Sequence, residues 1–179
     1  MVDLLAVDWS KIPAPADDGA ANHLARLTLP SIVLPATDGR AIDLAKIAGT
    51  TVVYAYPMTG RPDVALPEGW DMIPGARGCT PQSCAFRDHF AELKALGAQE
   101  LFGLSTQSTA YQREAAERLH LPFALLSDEN LVLAEALRLP TFETAGMRLL
   151  KRLTLILRAG KIVQVFYPVF PPDRSAGDV

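Results

Sequence analysis

CTPQSCAFRDHFAELKALG, residues 79–97, is the stretch that decides how this chain folds. Thr80 is a good N-cap residue, and Pro81 suits the first helical position, where a missing N–H has no partner to lose. Phe86, Phe90 and Leu93 recur at i, i+4 and i+7, the apolar stripe of an α-helix. Gly97 supplies the C-terminal stop. Upstream, TVVYAYP (51–57) is β-branched and aromatic and apolar on both faces, the pattern of a buried central strand. Downstream, ELFGLST (100–106) reads as a second strand. Strand, helix and strand in succession predict a layered α/β domain.

The alternation continues toward the C-terminus. TAYQREAAERLH (109–120) is a helix with Tyr111, Ala115 and Leu119 on one face; FALLS (123–127) is a strand and ENLVLAEALRL (129–139) a helix. RLTLILR (152–158) and KIVQVFYPV (161–169), joined at Ala159-Gly160, form a hairpin. Toward the N-terminus, LTLPSIVL (27–34) reads as short strands punctuated by Pro30. A turn at Asp38-Gly39 follows, then a brief helical turn at 44–47 closed by Gly49. This list contains the order β-α-β-α-β-β. The predicted fold class is therefore α/β and thioredoxin-like, a mixed central sheet flanked by helices. Residues 1–22, with Pro13, Pro15 and the polar DDGAAN, read as a loosely attached arm, and 23–179 as one domain. Residues 58–78 are rich in Gly and Pro without periodicity, and a loop of that length is usually functional or poorly ordered.

At 179 residues, 49 % of them hydrophobic and 21 % charged, the composition is that of a soluble globular protein. A formal net charge of −3 and the lack of a basic block argue against nucleic acid or an anionic membrane as the main partner. The first residues lack the basic start and apolar run of a secretory leader. No stretch approaches the roughly 20 apolar residues of a membrane helix. A cytoplasmic protein is expected.

In that compartment two close cysteines, Cys79 and Cys84, mean a redox couple, half of a metal site, or chance. Cys79 stands at the entry to the helix, where free N–H groups and the positive end of the helix dipole favour a thiolate. Arg77 adds positive charge two residues upstream. A thiolate is both a nucleophile and the species that peroxide oxidises to a sulfenic acid. An isolated cysteine is more often a small buried hydrophobe, but the helix start and the second cysteine favour chemistry. A zinc site needs four ligands, whereas one C-x₄-C stands here with His23, His89 and His120 scattered. A Cys–His hydrolase leaves the second cysteine unexplained. Five residues of helix separate the two Cα atoms by roughly 7.5 Å along the axis and turn them to different faces. A disulfide wants Cα atoms within about 7 Å, so a bridge between them would require the first helical turn to unwind.

At CTPQSCAFRDHF (79–90) the chain resembles the peroxiredoxins, closest to the bacterioferritin-comigratory or Q-type subfamily, which shows a Gly-Cys-Thr-x-x-x-Cys-x-x-Arg-Asp pattern. The likeness extends through LPSIVLPATDGR, the strand ending at Tyr56-Pro57, FGLST, LPFALLSDENLVLAEAL and KRLTLIL. The resemblance implies a thiol peroxidase with Cys79 peroxidatic, Cys84 resolving and Arg152 approaching the peroxidatic sulfur. It implies hydrogen peroxide and organic hydroperoxides as substrates, an intramolecular disulfide, and a thioredoxin- or glutaredoxin-like protein as reductant. No metal, flavin or haem is needed, and the expected state is a monomer or weak homodimer. A thiol–disulfide oxidoreductase and a non-catalytic redox sensor are the rival readings on the same fold.

One departure matters. The family's P-x-x-x-T-x-x-C motif puts Thr three residues and Pro seven residues before the cysteine, where this chain has Ala76 and Met72. Pro57 follows the strand as the family proline does, so 58–73 reads as an insertion that splits the motif. Thr59 or Thr80 would then supply the peroxide-binding hydroxyl. The insertion, with Leu66, Pro67 and Trp70, could lid the site or shift its preference among peroxides. Family members usually finish with a helix after the last strand, whereas PPDRSAGDV is read as stopping after Asp173, an N-cap candidate, so the chain is expected to end early by this comparison.

Overall fold

In the computed structural model, which describes residues 7–179, the chain opens with a 3₁₀ turn at Trp9–Lys11 and a short antiparallel hairpin. This hairpin pairs β1 (Val33–Pro35) with β2 (Ala41–Asp43) around the Asp38-Gly39 turn. Then follow β3 (Thr50–Ala55), α1 (Cys79–Asp88), α2 (Phe90–Ala95), β4 (Ala98–Ser105), α3 (Thr109–Arg118), β5 (Leu125–Ser127) and α4 (Val132–Leu137). The chain closes with β6 (Thr141–Thr144), β7 (Met147–Leu150), β8 (Leu153–Arg158), β9 (Lys161–Phe166) and the single-turn α5 (Ser175–Asp178). Five strands form one sheet in the order β5-β4-β3-β8-β9. β3 runs parallel to β4, β4 parallel to β5, and the β8–β9 hairpin is antiparallel. The sheet is mixed and β3 is its middle strand, as its two apolar faces require.

Alternation along β3 divides the core. Val52 and Tyr54, with Tyr56 just beyond the strand end, point into a cluster with Phe86 and Leu93 of the α1–α2 layer. Val53 and Ala55 point into the opposite cluster, with Leu133 and Leu137 of α4. The Tyr54 ring lies flat on Phe86, centroids 4.3 Å apart, and meets Phe123 edge-on. Gly103 of β4 sits opposite Tyr54 in the ladder. A methyl group there would come within 2.5 Å of the Leu125 side chain and 2.9 Å of the tyrosine ring, so only glycine lets this stack close.

Several expectations need correction. The 79–97 helix is two: His89, at φ −91° and ψ 3°, ends α1 and starts α2. The break is slight, because the Leu93 N–H still donates to the His89 carbonyl, and Phe86 and Leu93 both remain buried. Thr80 is not the N-cap. Gly78 holds that position with φ 106°, and α1 begins at Cys79 itself. A side chain at 78 would lie 2.6 Å from Trp9 and 2.7 Å from Pro172, so both the dihedral and the space call for glycine. The expected 129–139 helix is shorter because Asp128 caps it, accepting from the N–H groups of Leu133 (3.1 Å) and Ala134 (2.7 Å). The β6–β7 hairpin was not anticipated.

The arm expected at 1–22 is tied down over its described part. Trp9 donates to Asp173 and packs edge-on against Phe170; Asp18 accepts from Lys151 and Tyr167. Residues 1–6 lie outside the described residues. Among the described residues no helix is long and apolar enough to cross a membrane.

Two substitutions test this packing by chemical denaturation. Gly103→Ala overpacks the Tyr54–Leu125 contact and is expected to destabilise by about 1–3 kcal/mol. Asp128→Ala removes the cap of α4 and is expected to lose about 1–2 kcal/mol.

Candidate active site

Cys79 opens α1 with its side chain 3 % exposed, and Arg152, at the entrance to β8, is buried to the same degree. The Arg152 Nη2 donates to the Cys79 Sγ at 3.3 Å. The same nitrogen faces the carbonyls of Gly75, Ala76 and Arg77 at 3.2, 3.3 and 3.2 Å. Nη1 donates to the Gln82 Oε1. One guanidinium thus ties together the loop before α1, the first turn of α1, and β8. Among the described residues no carboxylate pairs with Arg152, so its partners are dipoles and a sulfur. A buried cation in such a setting stabilises negative charge on the nearest atom able to carry it. That atom is the Cys79 sulfur, which also lies 3.7 Å from the Ala76 carbonyl as an S–H donor.

Gln82 is the residue that sequence reasoning missed. It is fully buried, accepts from Arg152, and donates to the Ser175 hydroxyl of α5 at 3.3 Å. Its signal was available: a polar residue three positions after the cysteine shares its helix face. Ser175 in turn lies 3.4 Å from the Thr154 hydroxyl, so the C-terminal segment joins the network behind the site.

The other expected residues divide. Thr80 lines a small cavity at Cys79, together with Met58, Gly60, Leu66, Trp70 and Arg77. Thr59 lies between two of those residues; its hydroxyl is buried and has no hydrogen-bond partner among the described residues, and its carbonyl accepts from the Tyr111 hydroxyl. Pro57 is buried beyond the end of β3, its carbonyl accepting from Ser105. Ala76, in the place of the family threonine, contributes only its backbone carbonyl. Arg77 forms an ion pair with Asp71 at 3.1 Å. His89 pairs with Glu92, and His23 lies against the Leu137 carbonyl, so neither faces Cys79 as a base. Among the described residues no cluster of His, Cys, Asp or Glu could hold a metal ion.

Cys84 is 9 % exposed, and both cysteines are free thiols on an unbroken α1. Burial pushes the Cys84 thiol above its ordinary value, with Arg87 opposing and Asp88 reinforcing the shift. A thiol held protonated at the second position and a sulfur beside a cation at the first are suited to different tasks.

These features define a thioredoxin-like domain that presents a cysteine at a helix start under a buried arginine. The Redoxin family model matches residues 25–179. A chloroplastic peroxiredoxin Q of Oryza sativa subsp. japonica is 35 % identical over 151 residues, 83 % of this chain and 61 % of that protein. The chloroplastic peroxiredoxin Q of Sedum lineare is 34 % identical over 82 % of this chain and 70 % of its own. Among solved structures, peroxidoxin BcpB from Mycobacterium tuberculosis superposes with a TM-score of 0.68 at 25 % identity, covering 86 % of this chain and 92 % of that one. The chain belongs to the Redoxin family, on its peroxiredoxin Q branch. It spans about three-fifths of the length of the rice relative it matches.

The Cys84 shift has a testable sign. Because the folded state holds this proton more tightly than the unfolded chain does, the contribution is present below the ordinary thiol range and lost as pH rises through the raised value. Melting temperatures between pH 7 and 10 are expected to fall further for the native protein than for Cys84→Ser.

Proposed function

We propose that this chain is a thiol peroxidase acting on hydrogen peroxide and organic hydroperoxides. The observation that carries the reading is the Arg152 Nη2 at 3.3 Å from the Cys79 Sγ, both groups buried, at the start of a helix. The Cys79 thiolate attacks the terminal oxygen of the peroxide. The O–O bond breaks, an S–O bond forms, and the departing oxygen leaves as water or alcohol after taking up a proton. Arg152 and the first N–H groups of α1 offset the charge that builds on the oxygens. The Cys84 thiol then attacks the sulfenic acid, giving a Cys79–Cys84 disulfide and water. A dithiol protein of the thioredoxin or glutaredoxin type reduces that bond by exchange, in a cytoplasmic setting where such donors are maintained. Thr80 and Thr59 are the hydroxyls assigned to the peroxide, and Pro57 shapes the end of β3 beneath them.

The disulfide step requires movement. The five-residue spacing sets the two Cα atoms roughly 7.5 Å apart along an intact helix, beyond bridging range. Unwinding the first turn breaks the bond from the Gln82 N–H to the Gly78 carbonyl and withdraws Gln82 from Arg152 and Ser175. In the oxidised protein, amide exchange is therefore expected to rise both at 79–84 and at 172–178, with the central strands unchanged.

Cysteine and arginine variants test the chemistry. Cys79→Ser is expected to abolish peroxide turnover. Cys84→Ser is expected to keep the first oxidation and lose thioredoxin-linked cycling. Arg152→Met is expected to slow oxidation by about 10²-fold or more, the loss typical of one preorganised donor. Undiminished peroxidase activity in Cys79→Ser overturns the assignment. Fast exchange with protein disulfides and no reaction with peroxide would instead make the chain an oxidoreductase.

A further inference from the structure

The 58–78 segment encloses two cavities that share a wall. The inner one, of about 10 Å³, is lined by Cys79, Thr80 and Pro81 of α1 and by Met58 and Gly60. The outer one, of about 500 Å³, is formed by residues 61–72 with Arg77. Leu66, Trp70 and Arg77 line both. An inner volume of about 10 Å³ lies at the lower limit for a single water, so a bulky group next to the reacting oxygens must find its space outside this cavity.

The three wall residues are not equally free to move. Trp70 is buried in a cluster with Met58, Ala76 and Leu149, and its ring lies 6.3 Å from that of Phe142 on β6. Its 3₁₀ turn begins at Gly69, whose φ of 72° suits glycine. Arg77 is held by Asp71 and lends its carbonyl to Arg152. Leu66, by contrast, is half-buried at the end of a run, 62–65, that is exposed throughout. One side of the wall is anchored to the β6–β7 hairpin and the other is attached to a surface loop.

In-line attack on a peroxide places the group carried by the departing oxygen on the side away from the thiolate. For hydrogen peroxide that group is a proton and needs no space. For an organic hydroperoxide it is a carbon chain or ring, which must occupy volume beyond the inner cavity. The larger space adjoining that cavity lies behind Leu66 and Trp70. We propose that Leu66 and Trp70 form a size gate between the outer chamber and Cys79. The gate makes this chain discriminate in favour of hydrogen peroxide and against hydroperoxides with a bulky group beside the O–O bond. The inference rests on the peroxidase reading above and adds the residues that set its substrate preference.

The test is quenched-flow oxidation of the reduced full-length protein by hydrogen peroxide and by cumene hydroperoxide. Cys79 oxidation is followed by alkylation and mass spectrometry, a readout independent of tryptophan. The native protein is expected to react at least about tenfold faster with hydrogen peroxide. Leu66→Ala and Trp70→Ala are each expected to raise the cumene-to-hydrogen-peroxide ratio of rate constants by about tenfold, the lower end of what apolar pocket contacts discriminate. Trp70→Ala also opens a hole in a buried cluster, so the half-exposed Leu66→Ala carries the test independently of folding. Equal rates with both peroxides in the native protein, or an unchanged ratio in Leu66→Ala, overturns the gate and leaves the peroxidase reading standing. A native Cys79 inert to both peroxides overturns the peroxidase reading, and the gate with it.

Discussion

A guanidinium taken out of water must find compensation, and Arg152 finds it in five acceptors drawn from α1 and the loop that leads into it. Three are backbone carbonyls of the loop that leads into α1, one is an amide side chain on α1, and one is the Cys79 sulfur. Removing any element of this set leaves a buried charge short of partners, so loop, helix and strand hold one another in place. Four of the five acceptors are neutral dipoles. The fifth is the Cys79 sulfur, 3.3 Å from the guanidinium. Structural cohesion and the proposed activation of Cys79 thus rest on one desolvated cation.

The fold delivers that cation by strand pairing. β8 lies beside β3, and Arg152 stands at its entrance, while α1 begins at Cys79, at the far end of the loop that leaves β3. The aromatic stack of Tyr54 on Phe86 sets the depth at which α1 rests on the sheet, and the Tyr54 hydroxyl meets Ser83 at 3.1 Å on the same helix. At the helix start, Gly78 is covered by Trp9 from one end of the chain and Pro172 from the other. The two terminal segments therefore close over the turn that the proposed chemistry must loosen, and Gln82 carries the coupling from Arg152 to α5.

The loop between β3 and α1 departs from the family's P-x-x-x-T-x-x-C pattern. Where the threonine would stand there is Ala76, which keeps the backbone carbonyls in place for Arg152 and contributes no hydroxyl. This loop brings Trp70 into the core against Phe142 and places Leu66 in the lining of the Cys79 cavity, where the two form an apolar wall. The segment read as a structureless loop is ordered here because the β6–β7 hairpin offers an apolar surface to pack on. That hairpin escaped sequence reading for a physical reason. Its strands, TFET and MRLL, are four residues each with little apolar alternation, and its turn uses Ala145 with φ 48° ahead of Gly146, a weak local signal.

The sequence by itself determined the α/β class, the central placement of β3 and the presence of a helix just after the cysteine. Each is written in a short-range pattern: apolar residues on both faces of 51–57, the i, i+4, i+7 stripe of 86–93, and Pro81 ahead of that stripe. Arg152 was legible through resemblance, because its strand and the C-x₄-C core keep their family spacing. Only the tertiary structure decided that Gly78 rather than Thr80 caps the helix, since the reason lies in Trp9 and Pro172, each far away along the chain. It alone decided that Gln82 bridges Arg152 and Ser175, and that Trp70 walls the cysteine cavity. Local periodicity records which face a residue presents. What that face meets is settled when distant segments compete for the same buried volume, and no short window of sequence contains both competitors.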